Sequence, residues 1–325
     1  MFNRRTLLVG LPVGLLPALH VRAQLQPKVL GLLSPYSSRE IELSRDVFMR
    51  AMLDLGYTRG KQFVVVERLA DGRNERLPEL ADELVKLNVD LIWASSTNAV
   101  AAAQAATTTI PIVFESVADP VRAGFADSLA HPGHNITGLS NFSADLGPKR
   151  FQLLKQMVPS LTRVAVLMNS TNPYYATQVP RTQAVAEQLG LRAQVVSASS
   201  PDEMEPAFLA IASQHAQAVF VSPDAYLWAQ RQRIAELALK YGLPSMFPFA
   251  ECVEVGGLMS YGVDALIGIR IVASYVDRIL KGAKPGELPI EQPTRVDLVI
   301  NRKTADALKL TIPQVLLLQA EKVIE

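Results

Sequence analysis

Lys28-Val29-Leu30-Gly31-Leu32-Leu33 and Arg163-Val164-Ala165-Val166-Leu167-Met168 read alike, a basic residue followed by an apolar run, at an offset of 135. Leu55-Gly56 returns as Leu189-Gly190 at an offset of 134, and Ile110-Pro111 as Leu243-Pro244 at 133. Each pair by itself is common. Three in order at nearly constant spacing indicate two copies of one βαβ lobe.

Outward from these anchors, short apolar runs alternate with helical patterns. In the first copy residues 29–33, 63–66, 91–94 and 112–114 read as strands, with helices over 41–55, 77–87 and 99–106 between them. In the second, 164–168, 194–196 and 218–221 read as strands, with helices ending at Leu189 and covering 203–213 and 229–241. Continuous Val, Ile and Leu strands, each followed by a helix, predict parallel sheets covered on both faces, an α/β fold of two Rossmann-like lobes. Residues 136–139 form a strand-like exit from the first lobe. After Tyr261 an amphipathic helix spans 265–280, an extended stretch carries Pro285, Pro289 and Pro293, and 296–300 is a last strand. A helix and a strand beyond the second copy imply that the chain crosses between lobes more than once, which makes a hinge.

Two lobes suit a chain of 325 residues, and 49% hydrophobic content supplies their cores. With aromatics at 6%, those cores must be built mainly from Leu, Val, Ile and Ala. Lys plus Arg is 32 against 31 for Asp plus Glu, so no basic excess is available to displace counterions from nucleic acid. One cysteine, Cys252, excludes an internal disulfide or a multi-thiolate metal cluster and is expected in the core.

The first 23 residues carry Arg4-Arg5, an apolar run from Thr6 to Leu19, and Ala23 at a cleavage point, the pattern of an export signal. The run is too short for the roughly 20 apolar residues of a membrane span. Arg4-Arg5-Thr6-Leu7-Leu8 also matches the core of a twin-arginine signal, although paired arginines occur in ordinary signals as well. Cleavage after Ala23 removes three of the 32 basic residues and none of the 31 acidic ones, leaving a net charge of −2. With no cysteine just after the signal to carry a lipid, the mature chain is expected free in the periplasm, without a membrane anchor.

Ligands of open parallel sheets bind in loops beyond the carboxyl ends of the strands. Those loops are polar here: Ser34-Pro35-Tyr36, Ser95-Ser96-Thr97-Asn98 and Glu115-Ser116-Val117-Ala118-Asp119 in the first copy, then Asn169-Ser170-Thr171-Asn172-Pro173-Tyr174, Ser222-Pro223-Asp224 and Ser260-Tyr261-Gly262 in the second. Hydroxyls, amides, carboxylates and rings suit a small polar ligand. The start of the third helix at Ser96 and Thr97 offers N–H groups to an anionic group, and Asp119 and Asp224 suit an ammonium. Each of these polar residues also fits a plain helix cap. The expected contacts are Ser34, Ser96, Thr97, Ser116 and Asp119 from one lobe and Asn169, Asp224 and Tyr261 from the other, with Tyr36 or Tyr174 stacking on an apolar part. G-x-G-x-x-G after a strand, G-x-x-x-x-G-K-[ST] and G-x-S-x-G are all absent, so dinucleotide, nucleotide-phosphate and serine-hydrolase chemistry is unsupported, and neither enzyme activity nor a cofactor is expected. His131 and His134 flank Pro132-Gly133 as a polar turn, not a metal site.

The mature chain resembles the ABC-transporter substrate-binding proteins of the tryptophan/tyrosine type. The resemblance is carried by Leu53-Asp54-Leu55-Gly56-Tyr57, Ser116-Val117-Ala118-Asp119-Pro120-Val121, Asn135-Ile136-Thr137-Gly138-Leu139-Ser140, Gly256-Gly257-Leu258-Met259-Ser260-Tyr261-Gly262 and Leu288-Pro289-Ile290-Glu291-Gln292-Pro293-Thr294. It implies a type I periplasmic-binding-protein architecture with three crossings, near Leu139, Tyr261 and Gln292. Lobe one is then 24–139 with 262–291, and lobe two 140–261 with 292–325. It also implies a monomeric, non-catalytic receptor that closes on an amino acid or related compound and presents it to a membrane permease. The chain departs from the family's frequent glycines at Ala118, Arg122 and His134. A sensor serving a membrane signalling partner and a two-lobe nucleotide-sugar enzyme are the competing readings.

Overall fold

A computed structural model describes residues 26–141, 145–293 and 295–325, so the export signal read at residues 1–23 lies outside the described residues. The first sheet holds β1 (Lys28–Ser34), β2 (Phe63–Leu69), β3 (Leu91–Ala94), β4 (Ile112–Val117) and β5 (Ile136–Ser140), in the order β2-β1-β3-β4-β5. The second contains β6 (Arg163–Met168), β7 (Arg192–Ser197), β8 (Val219–Val221), β9 (Ser245–Phe247) and β10 (Met259–Gly262), followed by β11 (Asp297–Asn301) and β12 (Lys322–Ile324). Its order is β12-β11-β10-β9-β8-β6-β7. The run β7-β6-β8-β9-β10 repeats the first sheet strand for strand. The two anchor hexapeptides, at Lys28 and Arg163, are the opening residues of β1 and β6.

Strands that are apolar throughout have layers on both faces because successive side chains point opposite ways. Leu30 and Leu32 of β1 enter a core with Phe48 and Met52 of α1 (Glu42–Asp54) and Val272 and Val276 of α10 (Ala265–Leu280). Leu33 faces the other side, against Leu80 and Leu84 of α2 (Leu77–Lys86) and Val100 of α3 (Thr97–Ala106). In β6, Val164 and Val166 pack toward Phe151 and Leu154 of α4 (Gly147–Met157) and Ala186 of α5 (Tyr175–Gln188), where Phe151 stacks on Phe220 at 4.2 Å. Ala165 and Leu167 face Phe208 of α6 (Pro201–Ser213) and Ile234 of α8 (Arg231–Lys240). Cys252, in α9 (Ala250–Glu254), is buried in that layer, and burial raises its thiol pKa.

The chain passes between the sheets three times: from β5 to α4, from β10 to α10, and from the 285–291 segment to β11. That segment lies along the open edge of β5, with Glu291 N–H donating to Gly138 O and Ser140 N–H to Glu291 O, and so covers an edge that would otherwise be unpaired. Arg150 of α4, 1% exposed, donates from Nε to the Tyr261 carbonyl at 2.6 Å and from a terminal nitrogen to Pro248 O. Burial lowers its pKa to about 9. Its guanidinium thereby ties the end of β10 to α4.

Three features depart from the expected pattern. β11 runs antiparallel to β10, since it re-enters the second sheet after the third passage instead of following a helix of the same lobe. The helix expected over 229–241 is α8, and a short α7 (Ala225–Ala229), not expected, precedes it and ends at Gln230 (φ −88, ψ 9). Helices α4, α11 (Arg302–Ala307) and α12 (Gln314–Gln319) and strand β12 are additional. No helix among the described residues is long and apolar enough to cross a membrane.

Candidate functional site

The loops at the carboxyl ends of both sheets face one another across a cleft that encloses about 960 Å³, part of it open to solvent. Its first wall is built by the β1–α1 loop, the start of α3 and the end of β4. At α3, Ser96 is extended and its Oγ accepts from Ala99 N–H at 3.1 Å, so it is the helix cap. Thr97 and Asn98 follow as the first helical residues, whose N–H groups have no acceptor within the helix, and both line the cleft.

The end of β4 is irregular. Its register against β5 shifts between Phe114 and Val117, and Ser116 within the shift has φ +58, a left-handed backbone uncommon outside glycine. This bulge carries Glu115 onto the cleft wall although Glu115 is only 7% exposed. Burial pushes its carboxyl pKa up to about 8. The indole N–H of Trp93, on β3, draws that value down but makes no hydrogen bond of regular geometry.

From the second lobe come the β6–α5 loop, the β8–α7 loop and Phe249. Asp224 caps α7, accepting from Leu227 N–H at 3.1 Å. It also accepts from Asn169 Nδ2 at 3.1 Å and from Asn172 Nδ2 at 2.7 Å. Burial raises its pKa and these donors oppose the rise. Trp228 of α7 meets Tyr36 of the β1–α1 loop edge to face across the cleft, ring centroids 5.0 Å apart, and Arg231 stacks on the same indole at 4.0 Å. Burial, then the neighbouring Asp224, Glu115 and Glu40, hold the Tyr36 hydroxyl well above the ordinary phenol value.

Of the expected contacts, Tyr36, Ser96, Thr97, Ser116 and Asp224 meet on the cleft wall. The other five stand behind or beside it. Ser34 is fully buried, its Oγ accepting from Ser95 Oγ and from Tyr36 N–H, which holds the loop beneath Tyr36. Asn169 is buried and orients Asp224. Tyr261 packs into the second core, and its carbonyl receives Arg150. Asp119 and Tyr174 form a bridge between the lobes: Tyr174 donates its hydroxyl to Asp119 Oδ2 at 3.4 Å, with a terminal nitrogen of Arg181 at 3.8 Å from the same oxygen. Asp119 Oδ1 accepts from Arg122 N–H.

Glu40, Trp93, Glu115, Trp228 and Phe249 line the cleft without having been singled out as contacts. Trp93 lies inside an apolar strand and reads as core. Glu115 lies at the end of another, where a carboxylate among Val, Ile and Phe was the available signal.

The model of a family described as ABC transporter substrate binding protein matches residues 33–324. A tyrosine-binding protein of Clostridioides difficile is 25% identical over 283 residues, covering 86% of this chain and 81% of that one. A Streptococcus pneumoniae ABC domain solved in complex with L-Trp superimposes with a TM-score of 0.84 at 25% identity, over 92% of this chain and 100% of that one. A conserved domain protein from Vibrio cholerae gives 0.86 at 26% identity over the same shares.

Proposed function

The chain belongs to the ABC transporter substrate-binding protein family, and from that premise we propose that it is a periplasmic, monomeric receptor that captures an amine-bearing small solute, amino acids included, and delivers it to an inner-membrane permease. The reading rests on Asp224, a buried carboxylate held in place by two asparagines and a helix N-terminus on a wall where polar and aromatic groups of both lobes converge. An ammonium placed there exchanges water for a charge-assisted contact. A carboxylate or hydroxyl of the same solute has the first N–H groups of α3 opposite. Tyr36 and Trp228 supply the flat apolar surface.

Contacts from both lobes make the liganded form the closed one. Ligand then acts by stabilising a closed arrangement already accessible to the free protein, and the permease reads that arrangement. No step of bond making is required of the chain.

The test is calorimetric titration of residues 24–325 with amino acids, small amines, sugars and small carboxylates. An amine-bearing solute is expected to bind and to raise the melting temperature through linkage. Asp224→Asn keeps a capping side chain while removing the charge, so binding should weaken about tenfold or more with the fold intact. Binding confined to solutes without an amine, or unchanged in Asp224→Asn, would overturn the proposal.

A further inference from the structure

The cleft wall carries three carboxyl groups, on Glu40, Glu115 and Asp224, and no lysine, arginine or histidine among the described residues lines it. Two arginines close by are engaged with other groups: Arg231 stacks on the Trp228 ring and donates to the Trp228 carbonyl, and Arg181 reaches Asp145 at 2.7 Å and Asp119 at 3.8 Å. Two of the three acids already have donors: Asp224 takes the two asparagines and Leu227 N–H, and Glu40 Oε2 takes the N–H and hydroxyl of Ser37 at 2.7 and 2.6 Å. Glu115 has only the indole N–H of Trp93 near it, which favours its charged form without regular hydrogen-bond geometry. Trp93 is itself 4% exposed on the cleft wall. A buried acid whose one nearby donor falls short of regular hydrogen-bond geometry leaves room on a ligand cleft for a better partner.

We infer that the solute is an organic cation, an aliphatic ammonium on a flat apolar body, carrying net positive charge and needing no carboxylate. The ammonium lies between Glu115 and Asp224 and makes Glu115 release to solvent the proton it holds in the free protein, so that two acids from opposite lobes meet one charge. The body lies against the Tyr36–Trp228 pair and Phe249, where the rings attract the cation and bury the apolar part. A zwitterionic amino acid brings its carboxylate into a wall already acidic, with helix N–H groups and neutral hydroxyls to receive it. A decarboxylated amine of the same body avoids that repulsion.

This inference rests on the receptor reading above and narrows it. Its test compares matched pairs by titration calorimetry on residues 24–325: tyramine against tyrosine, tryptamine against tryptophan, with indolepropionate as the carboxylate-only member. The amines are expected to bind about tenfold or more tightly than their parent amino acids, and indolepropionate not at all. In Glu115→Gln, whose folding a melting curve checks, amine affinity should fall about tenfold and the gap to the amino acid should narrow. Amino acids that bind as tightly as the amines, or more tightly, would overturn the cation class and leave the receptor reading standing. If neither pair binds while another class of solute does, both fall. The ratio measured on the unaltered chain decides the matter even where the variant does not fold.

Discussion

Glu115 is the residue on which the chemistry of the cleft turns. Its carboxyl keeps a proton to about pH 8 in the folded chain, against 4.5 for an ordinary glutamate. Between those values folding takes up a proton, so the stabilisation present below about pH 4.5 is lost as pH rises through about 8. Glu115→Gln should therefore leave stability near its original value at pH 5 and raise it by on the order of 5 kcal/mol at pH 9, as read from urea unfolding of the ligand-free protein. An equal effect at both pH values would count against burial as the cause. Gly262 is constrained differently, because a Cβ there would stand 1.8 Å from the Pro248 carbonyl oxygen. Neither backbone has room to yield, and Gly262→Ala is expected to cost about 3 kcal/mol. A loss below about 1 kcal/mol would mean that the strands part easily at this point.

At the scale of the element, what sequence could disclose depended on whether a signal was local. The Ser-Ser-Thr-Asn run announced the start of α3, and Ser96 is indeed its cap. Ser96→Ala should lower stability by about 1 kcal/mol in a denaturant titration, the usual value of a lost cap. The β4 bulge left no such trace, since a left-handed serine looks like any other serine until the register against β5 is known. Helix α4 was obscured by its own Arg150, a charged letter on a buried face whose partners, the carbonyls of Tyr261 and Pro248, lie about a hundred residues away in the chain. Phe151 of the same helix shows what apolar spacing does report: stacked on Phe220 and fully buried, it should cost about 3–5 kcal/mol on replacement by alanine. Among the site residues, those at loop starts were legible from polarity. Trp93 was not, because an aromatic within a strand reads as core whichever side it faces.

Across the whole molecule, the doubled architecture could be read because a parallel strand has the same apolar signature in both copies. The roles of polar residues between the lobes could not, because they depend on how the lobes meet. Asp119, expected at the ligand, instead receives Tyr174 and Arg181 from the opposite lobe. Asp119→Ala should then favour the open form. Solution scattering is expected to show a larger radius of gyration without ligand, and affinity should fall about two- to fivefold, the scale of an exposed ion pair. A tenfold or greater loss with unchanged scattering would return Asp119 to the ligand.

The three passages between the sheets also bear on how the protein meets proteases. Cleavage of the backbone between Gly262 and Asp264 severs one strap of three, and each resulting fragment still contributes strands or helices to both halves. The nicked protein should therefore elute from a sizing column as a single particle, and its fragments should separate only in denaturant.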